Sequence, residues 1–205
     1  MPAPAYRIET PRLVLRCWQP ADAPLLADAV AASVEHLRPW MPWVQQEPEE
    51  LEAKVQRLRG FRALFDTDKD YLYAIFSPGE DEVIGGTGMH TRLGEDALEI
   101  GYWISVRHIG RGYATEATAA LTRAGFEIHG LERLEIRCDP ANARSLAVPR
   151  KLGYTHEATL RANVRGVGGA MRDTMVCALL RGEYAGSPSA AAQVRAFDAA
   201  GRLLL

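Results

Sequence analysis

Residues 105–117 read SVRHIGRGYATEA, with Gly110 and Gly112 one residue apart between a strand-like run and a helix-like run. Glycine reaches backbone dihedrals that other residues avoid, and it lets a ligand approach the main chain closely. A helix start adds unpaired N–H groups and the positive end of the helix dipole. The stretch therefore asks for an anion, and a phosphate above all. Three phosphate loops compete. A P-loop needs Gly-Lys-Ser or Gly-Lys-Thr at its end, and no lysine is present. A dinucleotide fingerprint needs a third glycine and an acid closing the next strand. Here the third position is Thr115, and the nearest suitable acid, Glu132, precedes the next strand. The third pattern, Arg/Gln-x-x-Gly-x-Gly/Ala after a strand, fits Arg107, Gly110 and Gly112.

Around this loop the chain reads as mixed α/β. Strands are expected at 12–18, 71–77, 82–91, 97–106 and 133–139, with two more in YTHEATLR and RDTMVCALL. Helices are expected at 20–33, 47–65 and 111–129, with a short one ending near Leu152. Leu51, Val55, Leu58, Phe61 and Phe65 form one apolar stripe; Ala114, Ala117, Leu121, Ala124 and Ile128 form another. HLRPWMPWV, 36–44, holds two prolines and two tryptophans and cannot be a regular helix. After Tyr184 the composition turns to AGSPSAAAQ, so residues 1–184 read as one domain. Residues 185–205 read as a tail, either partly disordered or a terminal hairpin around DAAG that packs on a partner subunit.

Composition narrows the function. With 47% hydrophobic and 24% charged residues the chain should bury an ordinary core. A net charge of −2 argues against bulk electrostatic binding of nucleic acid. No apolar run is long enough to span a membrane, and the N-terminus lacks a signal-peptide pattern. Cys17, Cys138 and Cys177 are odd in number and far apart, which suits buried thiols in a reducing cytoplasm. The five histidines are scattered and none pairs with a cysteine at metal-ligand spacing, so no metal is expected.

ETPRLVLR (9–16), LRPWMPWV (37–44), LEIGYWI (98–104), GRGYATEA (110–117), NARSLAVPRKLGY (142–154) and RDTMVCALL (172–180) follow one another in an order that resembles the GNAT superfamily of acetyl-coenzyme A-dependent N-acetyltransferases. The resemblance covers roughly residues 6–184 and is to the branch that acetylates the N-termini of ribosomal proteins. It implies a central mixed, mostly antiparallel sheet of about seven strands flanked by about four helices. It implies acetyl-coenzyme A as cosubstrate and an amine as acceptor, either a protein N-terminus or a small molecule such as an antibiotic or polyamine. A homodimer and a cytoplasmic location accompany it; a fold that binds acyl-coenzyme A without turnover is the rival.

The resemblance assigns the pyrophosphate to backbone N–H groups of His108, Ile109, Gly110, Arg111, Gly112, Tyr113 and Ala114, with Arg107 and Arg111 as charged partners. It gives the backbone of Ile104 and Val106 to the pantetheine arm. In ALEIGYWISV, Leu98, Ile100, Tyr102 and Ile104 share one face, and Glu99, Gly101 and Trp103 the other. Glu99 is the candidate base, directly or through water; otherwise it is an ordinary solvent-facing strand acid. Asn142 either caps a helix or, as the resemblance implies, reaches the cofactor arm, and the resemblance sets Ser145 near the sulfur as proton donor or cofactor contact. Pro149 lacks the N–H that would bond the Ser145 carbonyl, so the helix should be perturbed there. Trp40 and Trp43 either wall the substrate site or pack between the first two helices. ANVRGVGGAMR, before the last strand, carries basic and small residues where some relatives place a second acid.

Overall fold

The computed structural model describes residues 4–205. In chain order its strands are β1 (Arg7–Glu9), β2 (Val14–Cys17), β3 (Tyr71–Phe76), β4 (Val83–His90), β5 (Ala97–Ile104), β6 (Arg133–Cys138), β7 (Thr155–Arg165), β8 (Met171–Leu180) and β9 (Arg195–Phe197). Its helices are α1 (Ala23–Ala31), α2 (Val34–Leu37), α3 (Leu51–Asp66), α4 (Tyr113–Glu127), α5 (Ala143–Lys151) and α6 (Arg181–Tyr184). The strands form one sheet in the order β7-β8-β6-β5-β4-β3-β2-β1-β9. Among the described residues only β5 and β6 pair in parallel, so the expected mixed, mostly antiparallel sheet is found. The sheet is larger than expected because β1 and β9 are three residues each, too short to show an alternation. Residues of the tail build β9, which pairs with β1 of the same chain. Asp198 closes the turn behind it by accepting from the N–H groups of Ala200 and Arg202 at 2.8 and 2.9 Å.

Alternation along the strands divides the core in two. Leu15, Ile75, Leu98 and Ile100 pack with Ala117, Leu121 and Ala124 of α4 and Val148 of α5. Val14, Ala74 and Phe76 turn to the opposite face, under Leu26 and Val30 of α1 and Leu58 of α3. The α4 stripe is therefore as read from the sequence. The α3 stripe is not: Leu51 is exposed, while Lys54 is buried with Leu58 and Phe65. Lys54 is buried because Glu47 neutralises it, at 2.5 Å, with Glu49 3.5 Å away.

β5 and β6 stay together for only three residues, from Ala97 opposite Arg133 to Glu99 opposite Glu135. Beyond that point β5 continues along β4, and β6 continues along β8. The sheet splays open between them. The Ser105 N–H donates to the Ile84 carbonyl at 2.9 Å, which fixes the phase of the β4–β5 ladder. Antiparallel ladders alternate bonded and non-bonded pairs, so the amide groups of Tyr102 and Ile104 face away from β4, into the splay.

Candidate active site

The anion seat lies at the mouth of α4. Gly110 and Gly112 adopt φ of 76° and 82°, in the left-handed region that glycine tolerates, and Gly112 is the residue from which α4 starts. A Cβ at Gly110 would meet open space, so the turn leaves room above its backbone. Among the described residues, the N–H groups of Ile109 through Thr115 find no backbone carbonyl, and no side chain caps the helix. Unpaired amides at a helix start are what an anion needs.

Two of the expected backbone contacts differ. The His108 N–H donates to Ser105 at 2.9 Å, closing a tight turn, and the Val106 N–H donates to Ser33 Oγ at 3.0 Å. The free amides therefore begin at Ile109, and they include Gly110, Arg111, Gly112, Tyr113 and Ala114. Ile104 keeps its amide open to the splay. The arginines also differ in part. Arg107 is exposed and pairs with Asp28 of α1, while Arg111 is exposed and its carbonyl accepts from Arg12 at 3.1 Å. Arg12 stands at the helix mouth instead: its guanidinium lies 4.7 Å from the Tyr113 ring and 2.6 Å from Glu116. Sequence reasoning missed Arg12 because it is a hundred residues away, in the turn between β1 and β2.

A cavity of about 820 Å³ meets the splay and is lined by Trp40, Trp43, Glu99, Asn142 and Ser145 together. Asn142 caps α5: its Oδ1 accepts from the Ser145 N–H at 3.1 Å. The Ser145 carbonyl, which Pro149 leaves without its helical donor, accepts the Tyr102 hydroxyl at 2.9 Å. Ser145 Oγ in turn donates to Tyr102 Oη at 3.3 Å. Burial raises the Tyr102 hydroxyl well above the ordinary tyrosine range, so it stays protonated. Cys138, expected to be a buried thiol, is half-buried and borders the cavity. Burial pushes its thiol up to about 11, which leaves it a poor nucleophile.

On the opposite face of β5, Trp43 meets Trp103 edge-on with ring centroids 5.9 Å apart. The Trp103 indole sits against Gly86 of β4, which has no side chain; a Cβ there would fall 2.5 Å from the indole nitrogen. Glu99 is not solvent-facing. Its side chain is 9% exposed and both oxygens accept from Arg92, at 2.8 Å each, with Arg137 3.7 Å away. Arg137 also bonds Glu135, which bonds Arg133, so opposite charges alternate across β5 and β6.

Several cavity residues have no signal of their own in the sequence. Asp173 of β8 lines the cavity and accepts the Ala162 N–H at 2.8 Å, so an acid does stand near the hairpin read as basic and small. His90 lies directly across the ladder from Glu99 and bonds Asp70. Pairing the two strands through the RLGED turn would have put His90 beside Glu99. Among the described residues, no group of three His, Cys, Asp or Glu side chains is placed to hold a metal ion, and no helix is long and apolar enough to cross a membrane.

A family model described as an acetyltransferase (GNAT) domain matches residues 12–155. A [ribosomal protein uS5]-alanine N-acetyltransferase of Escherichia coli (strain K12) is 29% identical over 182 residues, covering 86% of this chain and 91% of that protein. A probable N-acetyltransferase, YjcK, of Bacillus subtilis (strain 168) is 29% identical over 133 residues, covering 63% of this chain and 72% of that protein. Among solved structures, Mycobacterium smegmatis RimJ in complex with CoA-disulfide aligns with a TM-score of 0.78 at 25% identity, covering 91% of each chain.

Proposed function

Because the chain belongs to the acetyltransferase (GNAT) family and is an acetyl-coenzyme A-dependent N-acetyltransferase, we propose that its acceptor is the α-amino group of a protein or peptide N-terminus. One observation carries the reading: beside the splay of β5 from β6 lies a roomy aromatic cavity that holds Trp40, Trp43, Glu99 and Ser145 together. A cavity of about 820 Å³ has room for more than a small amine. The near full-length similarity to an enzyme named for a ribosomal-protein alanine supports the same acceptor.

The residues divide the work as follows. The amides of Ile109 through Thr115 hold the pyrophosphate, with Arg12 and Arg111 near the helix mouth. The backbone of Tyr102 and Ile104 lies along the pantetheine arm, and the Ile104 N–H is placed for the oxygen that gains negative charge. Acetyl-coenzyme A supplies the acetyl group as a thioester. Ser145 and Tyr102, bonded to each other and both protonated, stand where a leaving sulfur needs a proton. Glu99 and Arg92 set the charge that meets the amine. The raised Cys138 thiol favours direct transfer over an acetylated cysteine.

The experiment is a transfer screen that follows free thiol release from acetyl-coenzyme A. Peptides beginning with alanine or serine are compared with polyamines and an aminoglycoside. Peptide kcat/KM at least tenfold above the small amines supports the reading. A preference for a small amine overturns it.

A further inference from the structure

β4 ends on His90, and the β4–β5 register sets it directly opposite Glu99. Directly opposed residues share a face of the sheet. The next pair along that face is Gly88 opposite Gly101, and the one after is Gly86 opposite Trp103. The floor between His90 and Trp103 therefore carries no side chain. The His90 ring leans over it: Nε2 lies 3.2 Å from where a Cβ on Gly101 would sit, and 3.3 Å from one on Gly88. His90, Gly101 and Trp103 all line the cavity.

The other ring nitrogen is fixed. Nδ1 stands 3.0 Å from both carboxylate oxygens of Asp70, in the loop before β3. An ionised carboxylate only accepts, so Nδ1 carries a hydrogen and the neutral ring keeps its lone pair on Nε2. That lone pair points over the glycine floor. Glu99 is differently placed, since both its oxygens already accept from Arg92 at 2.8 Å. The groups that face the ring are Asp70 from the loop before β3, Glu99 from β5, Arg92 and Arg137 behind Glu99, and Arg57 of α3 across the cavity.

We propose that His90, oriented by Asp70, takes the proton from the substrate ammonium, while Glu99 with Arg92 sets the charge of the cavity. The inference rests on the amine-acetylation reading above. The step balances. One proton moves from the ammonium nitrogen to Nε2, giving an imidazolium paired with Asp70. The freed nitrogen lone pair forms the bond to the thioester carbonyl carbon, and the carbon–sulfur bond breaks. The sulfur leaves with that pair and takes a proton from the Ser145–Tyr102 pair, which the second nitrogen proton replenishes, and the imidazolium returns its proton to solvent. Asp70 is a positioning residue in this scheme.

The test compares wild type, His90→Gln, Asp70→Asn and Asp70→Glu, measuring kcat against pH, coenzyme affinity by calorimetry, and melting temperature. His90→Gln should lower kcat ~10² to 10⁴-fold near pH 7, the range of general-base loss. Coenzyme affinity should stay within about twofold, and high pH should restore part of the rate because more amine is already neutral. Asp70→Asn removes the acceptor that fixes the ring tautomer, so kcat should fall while coenzyme affinity and amine KM stay near wild type. Asp70→Glu should restore kcat. A structural brace would change melting temperature and leave kcat of the folded enzyme in place. His90→Gln with near wild-type kcat from pH 6 to 9 overturns the inference. If that variant does not fold, wild-type kcat in Asp70→Asn overturns it. A wild type that binds coenzyme but acetylates no amine overturns the proposed function and this inference with it. Turnover by wild type beside an unimpaired His90→Gln overturns this inference alone.

Discussion

At the mouth of α4 the chain offers backbone: a run of free amides, two glycines at positive φ, and arginines at the rim. On the other side of the splay the proposed amine site is built of side chains gathered from distant segments. Trp40 and Trp43 come from the turns after α2, Arg57 from α3, His90 from β4, Glu99 from β5 and Asp173 from β8. The first surface is local in sequence and its shape follows from dihedrals. The second is assembled by the sheet and held by ion pairs. The two should therefore fail in different ways.

The largest expected effect falls on the amine side, through folding. Lys54 and Glu47 are 3% and 4% exposed at the side chain, and they tie the start of α3 to the turn that carries Trp43. Removing one partner of a buried pair strands the other charge, at a cost of about 3–5 kcal/mol. Lys54→Met should lose about that much stability in a denaturant titration. Its remaining folded fraction should bind coenzyme with ordinary affinity. A stable variant would mean that the amine wall does not depend on buried charge, and the contrast between the two surfaces would weaken.

Next comes the backbone surface. A valine at Gly110 or Gly112 must adopt a positive φ, which costs about 1–3 kcal/mol. Much of that strain has to be met when the loop is ordered around its ligand. Coenzyme affinity should fall ~10 to 100-fold by calorimetry, with the melting temperature little changed. Equal loss of both would place the glycines in the core's service rather than the ligand's.

Glu99→Gln tests the side-chain surface without disturbing the loop. The change leaves Arg92 without its buried anion and Arg137 with Glu135 alone, so the cavity turns more positive and repels an ammonium. KM for the amine should rise about tenfold, with a smaller change in kcat. A loss confined to kcat would return the proton to Glu99 and count against His90.

The contrast also explains what could be read from the sequence. SVRHIGRGYATEA carries its own geometry, because each glycine and the helix start act on their neighbours in the chain. Strand alternation put Glu99 and Trp103 on one face, and both are there. Pro149 marked the Ser145 carbonyl as free, although nothing local said that Tyr102 would fill it. His90, Asp70, Arg12 and Asp173 act through partners 20, 20, 104 and 11 residues away, so only register and packing bring them to the site. Lys54 sat at a helical position suited to an apolar residue, and only its burial with Glu47 shows its purpose.

The smallest effect should come from Arg107, the residue that completes the Arg-x-x-Gly-x-Gly pattern. Its guanidinium is at the surface and engages Asp28 of α1, an exposed acid whose pKa that contact lowers. A surface pair of this kind is screened by salt and contributes little. The dipole at the start of α4 also favours an anion without help from a side chain. Arg107→Ala should therefore change coenzyme affinity by less than about threefold at physiological salt, and its effect should shrink further at high salt. If Arg107→Ala instead weakened binding more than Gly112→Val in the same calorimetric titration, the arginine would have to leave Asp28 and grip the phosphates itself. Side-chain charge would then anchor both sides of the splay, and the division between a backbone surface and a side-chain surface would be wrong.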